Sequence, residues 1–165
     1  MKNTISQWLA GFSAAKDREA VRPVLNALGD RYSSCATSTA GLVIKAGGST
    51  LAKTGAAAFA GVANGIPVAI AAATDMPALV GTITANSFNV FCFFIDSASV
   101  VTVAMGTEGT TLAGVRFPQF PQGKALVGYL VVTHSSTFTG GTTALDTATT
   151  VYVSPVGAFD PSVVI

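Results

Sequence analysis

Apolar residues recur at two different spacings along the chain, and the change from one to the other divides it. Ile5, Trp8, Leu9 and Phe12 fall at i, i+3, i+4 and i+7, one stripe of a short helix, with Thr4 placed to cap its first turn. After Lys16 the stripe resumes with Val21, Val24, Leu25 and Leu28, and Gly29 stands where a left-handed cap commonly ends a helix. Pro23 lies inside this second run, so either two short helices meet near it or one helix kinks there. Neither arrangement can bury its stripe by itself.

From Gly41 onward the helical spacing gives way to short β-type runs separated by turn residues. Expected strands cover residues 42–45, 57–63, 66–72, 79–84, 88–95, 100–105, 112–117, 126–134 and 149–153. Asn64-Gly65 is the strongest hairpin signal, residues 75–77 and 96–99 supply further turns, and the prolines of 118–123 forbid a central strand. Strands in series with no helical run between them predict a mainly β fold, an antiparallel β-sandwich or barrel of jelly-roll-like type. Residues 1–31 are then an amphipathic helical arm and residues 32–165 the β domain, a division that a chain of 165 residues accommodates as one domain plus an appendage.

Charge sharpens that boundary. Lys2, Lys16, Asp17, Arg18, Glu19, Arg22, Asp30 and Arg31 all lie before residue 32, whereas the long body that follows is sparsely charged. Only 10% of the chain is charged against 50% hydrophobic, so Ser, Thr, Gly and Ala must cover much of its surface, as in residues 33–39, 102–111 and 133–150. Surfaces of that kind suit virion shells, secreted β proteins and buried oligomer faces. A net charge of +1 provides no basic field for phosphates, so nucleic acid is not an expected partner. The apolar run 55–73 is interrupted by Asn64, Gly65 and Pro67, which argues against a membrane span. Ser6, Gln7 and Gly11 likewise interrupt the apolar stretch behind Lys2 that would otherwise resemble a secretion signal.

Candidate chemistry is sparse. Gly47-Gly48-Ser49-Thr50-Leu51-Ala52-Lys53-Thr54 nearly matches a phosphate-binding loop, and Phe91 to Asp96 forms an apolar run ending in an acid that could hold Mg²⁺. Ala52, however, puts a methyl group where glycine lets backbone approach phosphate, and Gly61, Asn64-Gly65 and Pro67 would break the helix that must follow. Lys53-Thr54-Gly55 is read instead as the start of a hairpin, and Asp96 as a turn residue. His134 ends a strand with no acid in its sequence neighbourhood, and there is no G-x-S-x-G elbow. Cys35 and Cys92 lack metal-ligand spacing and read as two buried free thiols. Phe88, Phe91, Phe93 and Phe94 read as core aromatics before a stacking platform. No enzymatic activity, cofactor or metal is expected.

The stretch from Phe117-Pro118-Gln119-Phe120-Pro121-Gln122-Gly123-Lys124 to Val132 resembles a P-x-x-P-x-G-K-A-x-x-G-Y-x-x-V segment of tailed-phage virion proteins. The Thr/Ala-rich hairpin at 55–77, the loop at 138–146 and the proline-ended tail at 156–161 extend the likeness over residues 41–161. The resemblance implies a small capsid decoration, cement or head-fibre protein, trimeric, on the outside of an icosahedral head and made in the host cytoplasm. Its partners would be its own copies and the major capsid protein.

On this reading the docking or oligomer-tying residues are Ile5, Trp8, Leu9, Phe12, Val21, Leu25 and Leu28. Burying the first four against a partner would contribute about 6–10 kcal/mol before ordering costs. Alternatively the arm packs on its own β body. A receptor- or glycan-binding fibre module is the rival function, with Phe117, Phe120 and Phe138 as its contact surface. A secreted adhesin or hydrolase is a third, and it requires a working secretion signal and a pocket.

Overall fold

The computed structural model describes residues 15–159. Within them one helix, α1 (Ala15–Ser33), precedes the strands β1 (Cys35–Ala36), β2 (Val43–Ile44), β3 (Ala52–Lys53), β4 (Phe59–Ala63), β5 (Ile66–Ile70) and β6 (Thr82–Ile83). The series continues with β7 (Phe88–Ile95), β8 (Val101–Met105), β9 (Ala125–Thr133), β10 (Phe138–Thr139) and β11 (Thr149–Val153). The fold is mainly β, its pairings are antiparallel, and the helix stands at its N-terminal side, as the two spacings predict.

The centre is a four-stranded sheet in the order β11-β9-β7-β8. β7 reads in sequence as an apolar run without alternation because both its faces are covered. Phe91, Phe93 and Ile95 point into the main core, whereas Val90, Cys92 and Phe94 belong to a second cluster on the opposite face. A bulge phases β9 against it: Phe93 pairs with Gly128 and Phe94 with Leu126, leaving Val127 unpaired. That extra residue lets Val127 and Leu130 share the main core while Tyr129 turns to the other face. Gly128 is needed there, since an added Cβ would meet the Val153 carbonyl oxygen at 2.6 Å.

A three-stranded sheet, β1-β4-β5, supplies the other half of the main core. Phe59, Ala63, Val68 and Ile70 pack in one cluster with Phe91, Phe93 and Leu130. Each fully buried phenylalanine contributes about 1.5–3 kcal/mol. Two open sheets around one core make a sandwich rather than a closed barrel. The β4–β5 turn is the expected hairpin, with Asn64 at φ 52° and Gly65 at φ 76°, the left-handed values a two-residue turn requires.

Several expectations are corrected. Of the two arrangements expected around Pro23, α1 is the single helix, but it continues past Gly29 to Ser33, so Gly29 is not its cap. Residues 112–117 are not a strand: Leu112–Gly114 form a 3-10 turn, and only Arg116 bridges, to Thr107. The close approach of Gly109 to Gly114, where a Cβ would come within 2.5 Å of backbone, folds that segment back too tightly to extend. Lys53 ends a hairpin, β2–β3, rather than starting one. β1, β3 and β10, two residues each, were not expected.

Candidate functional site

The helical arm leaves the body at Ser33, whose carbonyl accepts the Gly65 N–H at 2.8 Å, while Ser34 Oγ accepts the Asn64 N–H at 3.0 Å. The end of α1 is therefore fixed to the β4–β5 turn. Both hydrophobic clusters are formed by residues from Ala36 onward, so the β body closes its core without the described side chains of α1. Val24 and Leu25 stand 59% and 58% exposed and Tyr32 76%, and Val21 is half-buried. A helix carries such side chains at the surface at no gain unless something covers them. Of the other docking residues expected from sequence, Ile5, Trp8, Leu9 and Phe12 lie outside the described residues, as does the side chain of Leu28. Tyr32 lies beyond Gly29, where the sequence pattern ends the stripe, and joins it because the helix runs on to Ser33.

A second apolar surface lies on the outer face of the four-stranded sheet. The loop after the 3-10 turn lays Phe117 and Phe120 over Phe94 and Tyr129, and Phe159 closes the group from the C-terminal side. Phe159 stacks on Phe120 at 6.0 Å between ring centres and meets Phe117 at 5.3 Å and Tyr129 at 5.6 Å. All four outer rings are half-buried, and burial holds the Tyr129 hydroxyl above its usual pKa. Tyr129 and Phe159 were not singled out in sequence; the bulge hid the face of the first, and nothing in the tail marks the second. Phe138, expected as a contact residue, is instead fully buried against Phe91 and cannot touch a ligand.

Polar chemistry is tied up locally. The phosphate-loop look-alike forms the β2–β3 turn: the Gly48 N–H donates to the Asp146 carboxylate at 2.6 Å, and the Leu145 N–H to the Ser49 carbonyl at 2.9 Å. Thr54, which would face a metal ion in a nucleotide site, is fully buried, donating to the Ala71 carbonyl at 2.9 Å and accepting the Thr74 N–H at 2.8 Å. Asp96 is the expected turn residue, its carboxylate accepting the Ala98 and Val100 N–H groups at 3.0 Å. These bonds, with Lys124 nearby, hold its pKa below the usual carboxylate range. Glu108 is held low in the same manner by the Thr84 N–H and hydroxyl.

His134 lines a shallow cavity of about 210 Å³ with Asn86, Thr133, Ser135, Thr147 and Thr149. Its Nδ1 lies 3.1 Å from the Ser136 nitrogen, which donates to it, and 2.9 Å from Ser136 Oγ. The ring nitrogen nearest the serine is thus already engaged by backbone, and no carboxylate lines the cavity. Among the described residues no three His, Cys, Asp or Glu side chains gather to hold a metal ion. Cys92 is buried and Cys35 half-buried, both as free thiols. No described helix is long and apolar enough to cross a membrane. Compared with known proteins, the chain matches no family model, no curated protein and no solved structure.

Proposed function

We propose that the chain is a non-enzymatic structural protein of a virion, which associates with its own copies as a trimer and docks on the major capsid protein to decorate or cement the head. The observation that carries this reading is α1, which bears exposed Val24, Leu25 and Tyr32 beside a β body whose core is complete without them. An amphipathic helix with no core of its own is a docking element, since most of a helix's stability in a protein comes from packing its apolar face against a partner. The sparse charge of the body and the tailed-phage resemblance at 117–132 favour a virion surface as the setting.

The test is to purify virus particles from a lysate in which the chain is made and to label intact particles with an antibody against the β body. Labelling of the outer surface is expected; particles free of the chain would overturn the proposal. A second reading, a receptor- or glycan-binding fibre module, draws on the half-buried rings of Phe117 and Phe120. Reproducible hits on a glycan array, lost in Phe120→Ala, would favour it.

A further inference from the structure

We infer that Asn64 is a site of spontaneous deamidation whose rate is set by the end of α1: the β4–β5 turn reacts only when the hydrogen bonds that hold it to Ser33 and Ser34 open. This site is independent of what the arm docks on.

Asparagine before glycine is the pair most open to this chemistry, because glycine has no side chain to shield its nitrogen. Asn64 is exposed, no hydrogen bond to another described residue holds its amide, and nothing lies within 4 Å of where a Gly65 Cβ would stand. Once a solvent base has taken its proton, the Gly65 nitrogen attacks Asn64 Cγ. The new N–Cγ bond forms, the Cγ–Nδ2 bond breaks, and Nδ2 leaves as ammonia with a proton from water. One water molecule then opens the cyclic imide. Aspartate results if the new bond breaks, and isoaspartate if the bond from the Gly65 nitrogen to the Asn64 main-chain carbonyl breaks. No oxidant or other co-reactant is needed. None of the other described asparagines precedes glycine: Asn26 precedes Ala27 within α1, Asn86 precedes the buried Ser87, and Asn89 is itself fully buried before Val90.

In the folded chain the attacking group is engaged. The Gly65 N–H donates to the Ser33 carbonyl at 2.8 Å and the Asn64 N–H to Ser34 Oγ at 3.0 Å. An N–H committed in this way loses its proton to solvent only after the bond opens, the condition that also governs amide hydrogen exchange. Cyclisation requires the Asn64–Gly65 peptide to turn its nitrogen towards Cγ as well. That rotation is opposed by the left-handed turn, φ 52° and 76°, and by the ladder of β4 and β5 that begins at Ala63 and Ile66. An isoaspartate at this position adds a carbon to the main chain within a two-residue turn. The modified turn cannot keep both bonds, so the reaction loosens the junction with the arm in one direction only.

The experiment incubates the full chain in mildly alkaline buffer, folded and in denaturant, for the wild type and Ser34→Ala, and follows conversion at Asn64 by peptide mapping with isoaspartate detection. Hydrogen exchange of the Gly65 amide is measured on the same folded samples. In denaturant Asn64 should convert ahead of every other asparagine. Folding should slow that conversion by the same factor as it slows Gly65 exchange, to within about tenfold. Ser34→Ala removes one of the two bonds, so both reactions in the folded chain should speed up about fivefold, the equivalent of one net hydrogen bond, while the rate in denaturant stays the same. The wild type alone supplies the comparison of folded with denatured chain, so the test survives a Ser34→Ala chain that fails to fold. Conversion as fast in the folded chain as in denaturant, while Gly65 exchange is protected, would overturn the gate, as would a folded Ser34→Ala chain that converts no faster. Conversion in denaturant that favours another asparagine would overturn the site.

Discussion

Single residues in the body are held by backbone partners that a sequence does not display. Cys92 sits in the cluster on the outer face of the four-stranded sheet with its thiol pushed well above the usual cysteine value by burial, and Cys35 is half-buried at the start of the body. A thiol reagent should therefore titrate one cysteine per native chain and two after unfolding; rapid modification of both in the native protein would contradict the packing of β7. Asp96 makes a different prediction. Its pKa is lowered in the folded chain, first by the Val100 N–H, so its contribution to stability is fully present above the unfolded value and is lost as pH falls through the folded one. Asp96→Asn should lower Tm at neutral pH, and the gap from wild type should shrink below about pH 4, where an unfolded aspartate begins to protonate. A gap independent of pH would mean that charge plays no part in the β7–β8 turn.

At the level of elements, Gly29 allows the arm to be tested without touching any contact. It lies within α1 with nothing inside 4 Å of an added Cβ, so Gly29→Ala should stabilise the helix by about 0.5–1 kcal/mol, seen as a gain in helical circular dichroism. No gain would mean that the helix ends at Gly29, as its sequence suggests. That position shows why sequence was only partly legible: glycine at a stripe's end looks like a cap, and only the continuation to Ser33 adds Tyr32 to the stripe. β7 and β11 were legible to the residue, because a long apolar run and a β-branched run between turns leave little choice. Strands of two residues carry no period to read, so β1, β3 and β10 were invisible. The bulge at Val127 shifted the alternation in β9, which concealed that Tyr129 belongs with Phe117 and Phe120. In sequence Phe138 reads as an exposed loop aromatic, two residues before Gly140 and Gly141. Those glycines instead bring the loop against Leu79, where a Cβ on Gly140 would meet backbone at 2.7 Å.

For the whole molecule, the question is whether arm and body are one cooperative unit. The body has its own sandwich core, built from residues from Ala36 onward, and the described junction to α1 includes hydrogen bonds from Gly65 and Asn64 to Ser33 and Ser34. Deleting residues 1–31 keeps both serines, so those two bonds survive the cut. The truncated chain should remain soluble, keep its β circular dichroism and unfold cooperatively within about 3 °C of the full chain, the shift expected for a loss near 1 kcal/mol in a domain of this size. If the arm instead packs on its own body, the same deletion uncovers apolar surface, and the product should aggregate or melt far lower. The comparison also locates the docking work. Under the arm reading the deletion abolishes self-association and particle binding while leaving the fold, because Val24 and Leu25 leave with it and Tyr32 loses the helix that carries it. A truncated chain that still formed the oligomer with unchanged affinity would move the docking surface to the body, where the half-buried rings of Phe117, Phe120, Tyr129 and Phe159 are the next apolar face to test.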